Sequence, residues 1–244
     1  MTTPQAIAMD FGNAGEMLLV DKPIDWTSFD VVKKIKVLFK TRRVGHAGTL
    51  DPKASGLLII CTGRQTKTIQ AYFDKDKEYT GTLELGVRTP SFDSETAVIE
   101  RKDFSLVTRQ MLDDSARAFT GKQMQIPPMY SAAKIEGQPL YRYARKGQTV
   151  ERTPREVQIS EFNITGYSAP AVDFQIVCSK GTYIRSLIED FGKTLGCGAM
   201  LRSLRRTRIG SYRVEDAMTI EDLIHLRDTL QVPLSPQYEV SEPA

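Results

Sequence analysis

Residues Val172–Gly196 read VDFQIVCSKGTYIRSLIEDFGKTLG, and the spacing of their apolar residues changes midway. Val172, Phe174, Ile176 and Cys178 fall on every second position, the period of a strand with one buried face. Ile184, Leu187, Ile188, Phe191 and Leu195 then recur three or four residues apart, the period of a helix with one apolar stripe. Gly196 is placed to end that helix in the left-handed conformation. A strand therefore runs into a helix across Ser179–Tyr183.

The same two periods recur on either side without a regular strand–helix alternation. Met17–Val20 and Leu57–Cys61 are short apolar runs, and Tyr79–Gly86 alternates with Tyr79, Gly81, Leu83 and Leu85 on one face. Val157, Ile159 and Ile164 mark another strand region, and Tyr130–Ile135 a further strand after Pro127 and Pro128. Thr27 or Ser28 can cap a helix carrying Val31, Val32, Ile35, Leu38 and Phe39. Gln110–Phe119 and Leu140–Lys146 are helical, the latter stopped by Gly147, and Thr219 with Asp222 reads as a capping pair opening a last helix. Such mixing predicts an α+β fold with a mixed, largely antiparallel sheet flanked by helices. We expect residues 1–15 to be a loose leader, residues 16–230 one folded domain, and residues 231–244 a polar tail that frays.

The 244 residues are 41% apolar and 26% charged, ordinary values for a globular protein rather than a disordered one. The longest apolar run, Leu57–Cys61, is far short of a membrane span, and Met1–Gly15 lacks the pattern of a secretory signal. Cys61, Cys178 and Cys197 are too scattered for a disulfide framework, and with His46 and His225 they complete no metal-ligand set. These features predict a cytoplasmic protein with reduced thiols, no metal and no membrane. The net charge is only +3, but the bases are clustered. Lys33–Arg43, Arg142–Arg155 and Arg202–Arg213 hold three basic stretches, while acids gather near Asp74–Asp114 and in the tail. Such clusters are either solvated helix faces or a surface for a polyanion.

No phosphate-binding glycine loop, dinucleotide fingerprint or nucleophile elbow is present. The unusual segment is Val44-Gly45-His46-Ala47-Gly48-Thr49-Leu50-Asp51-Pro52, an irregular loop between a basic helix and a buried strand. Pro52 biases Asp51 toward extended backbone, and the two glycines permit close approach of a ligand. His46 offers a planar ring for stacking. This is either a turn started by Asp-Pro or a carboxylate presented rigidly in a positive field. Gly181-Thr182-Tyr183-Ile184-Arg185 likewise reads either as a surface arginine one turn into a helix or as a functional cation.

Taken together, these segments resemble the family of bacterial tRNA pseudouridine synthases that act on position 55 of the T-loop. Gly45–Gly56 resembles its signature loop, whose aspartate is catalytic. Lys77-Glu78-Tyr79, Ile126–Ala132, Pro139–Gly147, Gly181–Leu187 and Leu201–Arg206 resemble its further motifs in the same order. The likeness spans residues 16 to 226. It implies an isomerase that flips a uridine out of the T-loop, breaks its N1–C1′ bond and rejoins the base through C5, without a cofactor.

By this resemblance Asp51 reacts, attacking C1′ or C6 or removing the 2′ proton. A carboxylate reacting away from water needs a cation to keep it ionised, and Arg185 is that cation. Tyr79 stacks on the flipped base and helps remove the C5 proton. His46 stacks within the remodelled loop, while Tyr183 and Leu204 line the base pocket. Lys22 and Lys134 either contact RNA or sit in structural turns. The implied partner is the T-arm of tRNA, with no guide RNA and no protein partner. A tRNA-folding chaperone acting without catalysis is the alternative. Two departures stand out: Asp25 occupies a position where the family often has glycine, and the chain stops where many members carry a further RNA-binding domain of the PUA type, so no full domain of that type is expected.

Overall fold

The computed structural model describes residues 9–230, which divide into two units, residues 9–75 with 208–230 and residues 76–207. In the first unit, β1 (Met17–Lys22) leads to α1 (Ser28–Leu38), β2 (Val44–Ala47) and β3 (Ala54–Thr62), followed by a 3₁₀ turn and α2 (Ile69–Phe73). β3 pairs antiparallel with β1, from Met17 opposite Cys61 to Lys22 opposite Gly56, and with β2, from Val44 opposite Thr62 to Ala47 opposite Ile59.

The unbroken apolar run of β3 follows from its place between two cores. Leu58 and Ile60 point to one cluster with Val31, Val32, Ile35 and Leu38 of α1. Leu57, Ile59 and Cys61 point to another with Ala47, Ile209 and Val214. The two-residue period of a strand sends alternate side chains to opposite faces, so a strand covered on both faces is apolar throughout. Burying five such side chains removes enough apolar surface to contribute on the order of 10 kcal/mol before entropy is counted. The expected strand Leu57–Cys61 is thus the covered centre of a longer one, and part of the expected irregular loop, Val44–Ala47, is strand β2 instead.

The second unit opens with β4 (Lys77–Leu85), the short pair β5 (Val87–Arg88) and β6 (Glu100–Arg101), α3 (Arg109–Ala118) and β7 (Gly121–Gln125). A two-stranded hairpin of β8 (Lys134–Ile135) and β9 (Gln138–Pro139) leads into α4 (Leu140–Ala144). Then come β10 (Arg155–Ser168), β11 (Ala171–Cys178), α5 (Ile184–Thr194) and β12 (Ala199–Ile209). The order within this unit is β12–β4–β11–β10–β7, and the registers of β4 with β11, β11 with β10 and β10 with β7 are all antiparallel. The opening stretch Val172–Gly196 forms β11 and α5 as its two periods predict. The expected strand Tyr130–Ile135 shrinks to Lys134–Ile135, because Tyr130 and Ser131 use their carbonyls on Arg185 and on the Tyr141 N–H rather than on a ladder.

β13 (Tyr212–Arg213) and α6 (Ile220–Thr229) complete the first unit. α6 is capped by Thr219 and Asp222 in a reciprocal box, and α1 by Thr27 and Asp30 in the same way. The expectation of a loose leader is corrected for its described part. Phe11 is buried and stacks on Phe39 with ring centroids 3.9 Å apart. The Asp10 carboxylate accepts the N–H groups of Gly12, Asn13 and Ala14. An aromatic side chain supplies this segment with the apolar area a polar leader lacks. The tail from residue 231 lies outside the described residues. No helix among the described residues is long and apolar enough to cross a membrane, and no group of His, Cys, Asp and Glu among them could hold a metal ion.

Candidate active site

In the first unit, Asp51 stands on the turn between β2 and β3. Gly48, at φ +85°, swings the chain out of β2, a conformation that costs glycine nothing. Leu50 is 3% exposed and anchors the turn on its near side. The Asp51 carbonyl accepts the Ala54 N–H at 3.1 Å, which closes the turn into β3. Asp51 itself is half-buried, as is His46 on β2, opposite Ile60. A methyl group at Gly45 would lie 2.5 Å from Ile69 Cδ1, so this glycine lets α2 pack on β2.

Lys22, a candidate RNA contact, turns inward. It is fully buried at 0% exposure, and its Nζ donates to the carbonyls of Pro23 at 2.8 Å and Trp26 at 2.6 Å. An ammonium removed from water needs such acceptors. Lys22 therefore holds the turn before α1, the structural one of its two roles, and its expected place among substrate-binding residues is corrected. Asp25 within that turn has φ +66°. This explains why glycine suits the position, and aspartate is among the few other residues that tolerate it.

In the second unit, Arg185 is the second residue of α5 and only 3% exposed. Its guanidinium donates to the Ser91 carbonyl at 3.0 Å and to the Tyr130 carbonyl at 2.8 Å, and its Nε lies 3.6 Å from an Asp93 carboxylate oxygen. Asp93 is itself fixed, accepting the Ser91 hydroxyl at 2.6 Å and the Glu95 N–H at 2.9 Å. The surface-arginine reading of Gly181–Arg185 is therefore wrong: this is a buried cation with its planar fork held on three sides. Tyr183, the N-cap of α5, is clamped by Gln125, which accepts its N–H at 2.7 Å and donates to its carbonyl at 3.1 Å. Ser186 donates to the Ile126 carbonyl at 2.9 Å. The first turn of α5 is thus tied to the segment 125–130 through the backbone of Tyr183 and the side chains of Arg185 and Ser186.

Tyr79 lies on β4 opposite Ile176, 8% exposed. Leu204 is half-buried on β12, and Lys134 is exposed on β8 at the hairpin. The structure places Asp51, His46 and Lys22 in the first unit, and Tyr79, Lys134, Tyr183, Arg185 and Leu204 in the second. Sequence reasoning missed Asp93, Ser91 and Gln125. The only signal was Thr89-Pro90-Ser91-Phe92-Asp93-Ser94, a cluster of turn formers that marks a loop but not its guest. The basic stretches also divide. Lys40, Arg42, Arg43, Arg142, Arg145 and Arg202 are exposed, whereas Arg206 is 1% exposed and faces the interior.

A family model described as TruB family pseudouridylate synthase (N terminal domain) matches residues 36–184, and one described as tRNA pseudouridylate synthase B C-terminal domain matches residues 185–232. The class these define is that of the pseudouridine synthases. A tRNA pseudouridine synthase B of Chlorobium luteolum is 50% identical over 214 residues, covering 86% of this chain and 74% of the relative. One from Chloroherpeton thalassium is 47% identical over 215 residues, covering 86% and 89%. Among solved structures, a Cbf5–Nop10–Gar1 complex matches with a TM-score of 0.70 at 28% identity, covering 88% of this chain but 55% of that one. An archaeal box H/ACA Nop10–Cbf5 complex matches with a TM-score of 0.68 at 27% identity, covering 91% and 56%. The chain thus spans about half the length of these solved relatives. It belongs to the TruB family.

Proposed function

We propose that this enzyme converts uridine 55 in the T-loop of tRNA to pseudouridine, with Asp51 as the reacting carboxylate. The observation that carries this reading is the Asp51 turn. An aspartate that merely started a turn would need no buried anchors, yet Leu50 and Ala54 on its two sides are each buried and hydrogen-bonded. Substrate identity is supported by the relatives named for tRNA.

A uridine in a folded T-loop is stacked, and flipping it out costs a few kcal/mol. Phosphate contacts from the exposed bases and stacking by Tyr79 and His46 offset that cost. Asp51 then assists cleavage of the N1–C1′ bond, the uracil turns, and C5 bonds to C1′ as its proton leaves. Arg185 supplies the cation that favours an ionised carboxylate in the closed site. Its rigid fork presents that charge without reorganisation. Tyr183 and Leu204 line the base pocket.

A guide-RNA-directed reading has one observation in its favour, the likeness to Cbf5 complexes and to an H/ACA RNP bound to a substrate RNA. Identity favours the tRNA reading: 27–28% to those proteins against 46–50% to several named tRNA synthases. The test is release of tritium from C5-labelled uridine in an unmodified tRNA transcript, with no guide RNA added. Wild type is expected to release it from the T-loop and Asp51→Asn to release none. Release by Asp51→Asn would remove the aspartate from the chemistry. A wild type that binds and folds tRNA without release would establish the chaperone.

A further inference from the structure

Four residues at the start of α1, Asp25–Ser28, grip the chain on both sides of Asp51. Ser28 is 2% exposed. Its Oγ accepts the Leu50 N–H at 2.8 Å and donates to the Leu50 carbonyl at 3.1 Å. That carbonyl belongs to the peptide whose nitrogen is Asp51, so one hydroxyl fixes the peptide plane entering the aspartate. On the far side, the Asp25 N–H donates to the Pro52 carbonyl at 2.8 Å, and the Asp25 carboxylate meets Lys53 Nζ at 2.6 Å.

The grip is itself braced. The Thr27–Asp30 box fixes the start of α1, and the buried Lys22 ammonium ties down the carbonyls of Pro23 and Trp26. The contacts are not of equal weight. The Asp25–Lys53 pair has side chains 62% and 44% exposed, and exposed ion pairs contribute little. The Ser28 bonds are dry. Without the hydroxyl, the N–H and carbonyl of Leu50 are both left buried and unsatisfied, which the chain relieves by moving. We infer that Ser28 is a positioning residue for Asp51, holding the backbone from which the carboxylate acts. This inference rests on the reading of Asp51 as the reacting group.

The role predicts a loss in rate rather than in binding, because a displacement of about 1 Å at a reacting group costs about 100-fold in rate. The experiment compares single-turnover tritium release, tRNA affinity and thermal stability for wild type, Ser28→Ala and Asp51→Asn. Ser28→Ala is expected to release tritium about 10- to 100-fold more slowly, with tRNA affinity close to wild type and a melting temperature lowered by several degrees. If Ser28→Ala does not fold, Ser28→Cys takes its place, since a thiol of similar size forms only weak hydrogen bonds. Asp25→Val is expected to lose more activity than Asp25→Gly, because a β-branched residue is strained at φ +66°. A wild-type rate in the Ser28 variant, or a rate loss matched by an equal loss of tRNA affinity, overturns the positioning role. Full turnover by Asp51→Asn overturns the reading beneath it.

Discussion

Arg185 shows how far a single residue's role depends on what surrounds it. Sequence places it one turn into a helix, where a solvated arginine is the ordinary outcome, and only likeness to a family raised it further. The structure shows a cation at 3% exposure with two backbone carbonyls and Asp93 around it. Nothing in the spacing of Asp93 and Arg185, on different elements and far apart in the chain, announces that pairing. Removing one partner of a buried ion pair costs about 3–5 kcal/mol, since the other charge remains. Asp93→Ala is therefore expected to destabilise the protein by about that amount and to abolish turnover. Asp93→Asn keeps the acceptor oxygen and is expected to lose less stability. Denaturant unfolding and tritium release check the two arms. Equal stability of Asp93→Ala and wild type would show that the carboxylate does not compensate Arg185.

Among the elements, those with a long clean period were legible and those built by partners were not. β11 and α5 appear where their apolar spacing puts them, and both capping boxes are visible as Thr-x-x-Asp ahead of an apolar stripe. β2 was unreadable because a four-residue strand interrupted by glycine takes its form from pairing with β3. β7, with Met124 exposed, exists through its ladder with β10. The box on α1 also makes a pH prediction. The Thr27 hydroxyl, and then its N–H, hold the Asp30 carboxyl below its ordinary value of 3.8. A depressed carboxyl stabilises the fold above its unfolded pKa and loses that contribution as pH falls through the folded one. Thr27→Ala is expected to cost about 1 kcal/mol, or about 2–4 °C for a chain of this length. The deficit should be full at pH 7 and shrink as pH falls below the ordinary value of 3.8 toward the depressed folded one, where wild-type Asp30 also takes up its proton. Melting curves at pH 7 and pH 3 decide it, and a deficit independent of pH would assign the loss to the Thr27 hydroxyl acting without Asp30.

At the scale of the whole molecule, the candidate residues are divided between the two units, Asp51 in one and Tyr79 and Arg185 in the other. That explains why composition and periodicity alone stopped at a carboxylate in a basic chain: the residues belong to segments that no local pattern links. The three thiols offer a way to ask whether each unit stays closed. Cys61 lies in the first unit, Cys178 and Cys197 in the second, and all are buried, at 0%, 1% and 4% exposure. Burial pushes each thiol up, that of Cys178 to about 12. Reaction with a disulfide reagent needs the thiolate and a path to it, so at pH 8 the folded enzyme is short of both. All three are expected to react promptly in denaturant and none promptly in buffer, with native labelling limited by opening of the fold. Mass spectrometry of labelled peptides identifies which thiol reacts first. Prompt labelling of Cys61 alone would show that the unit carrying Asp51 opens by itself, and prompt labelling of Cys178 with Cys197 would show the same for the unit carrying Arg185.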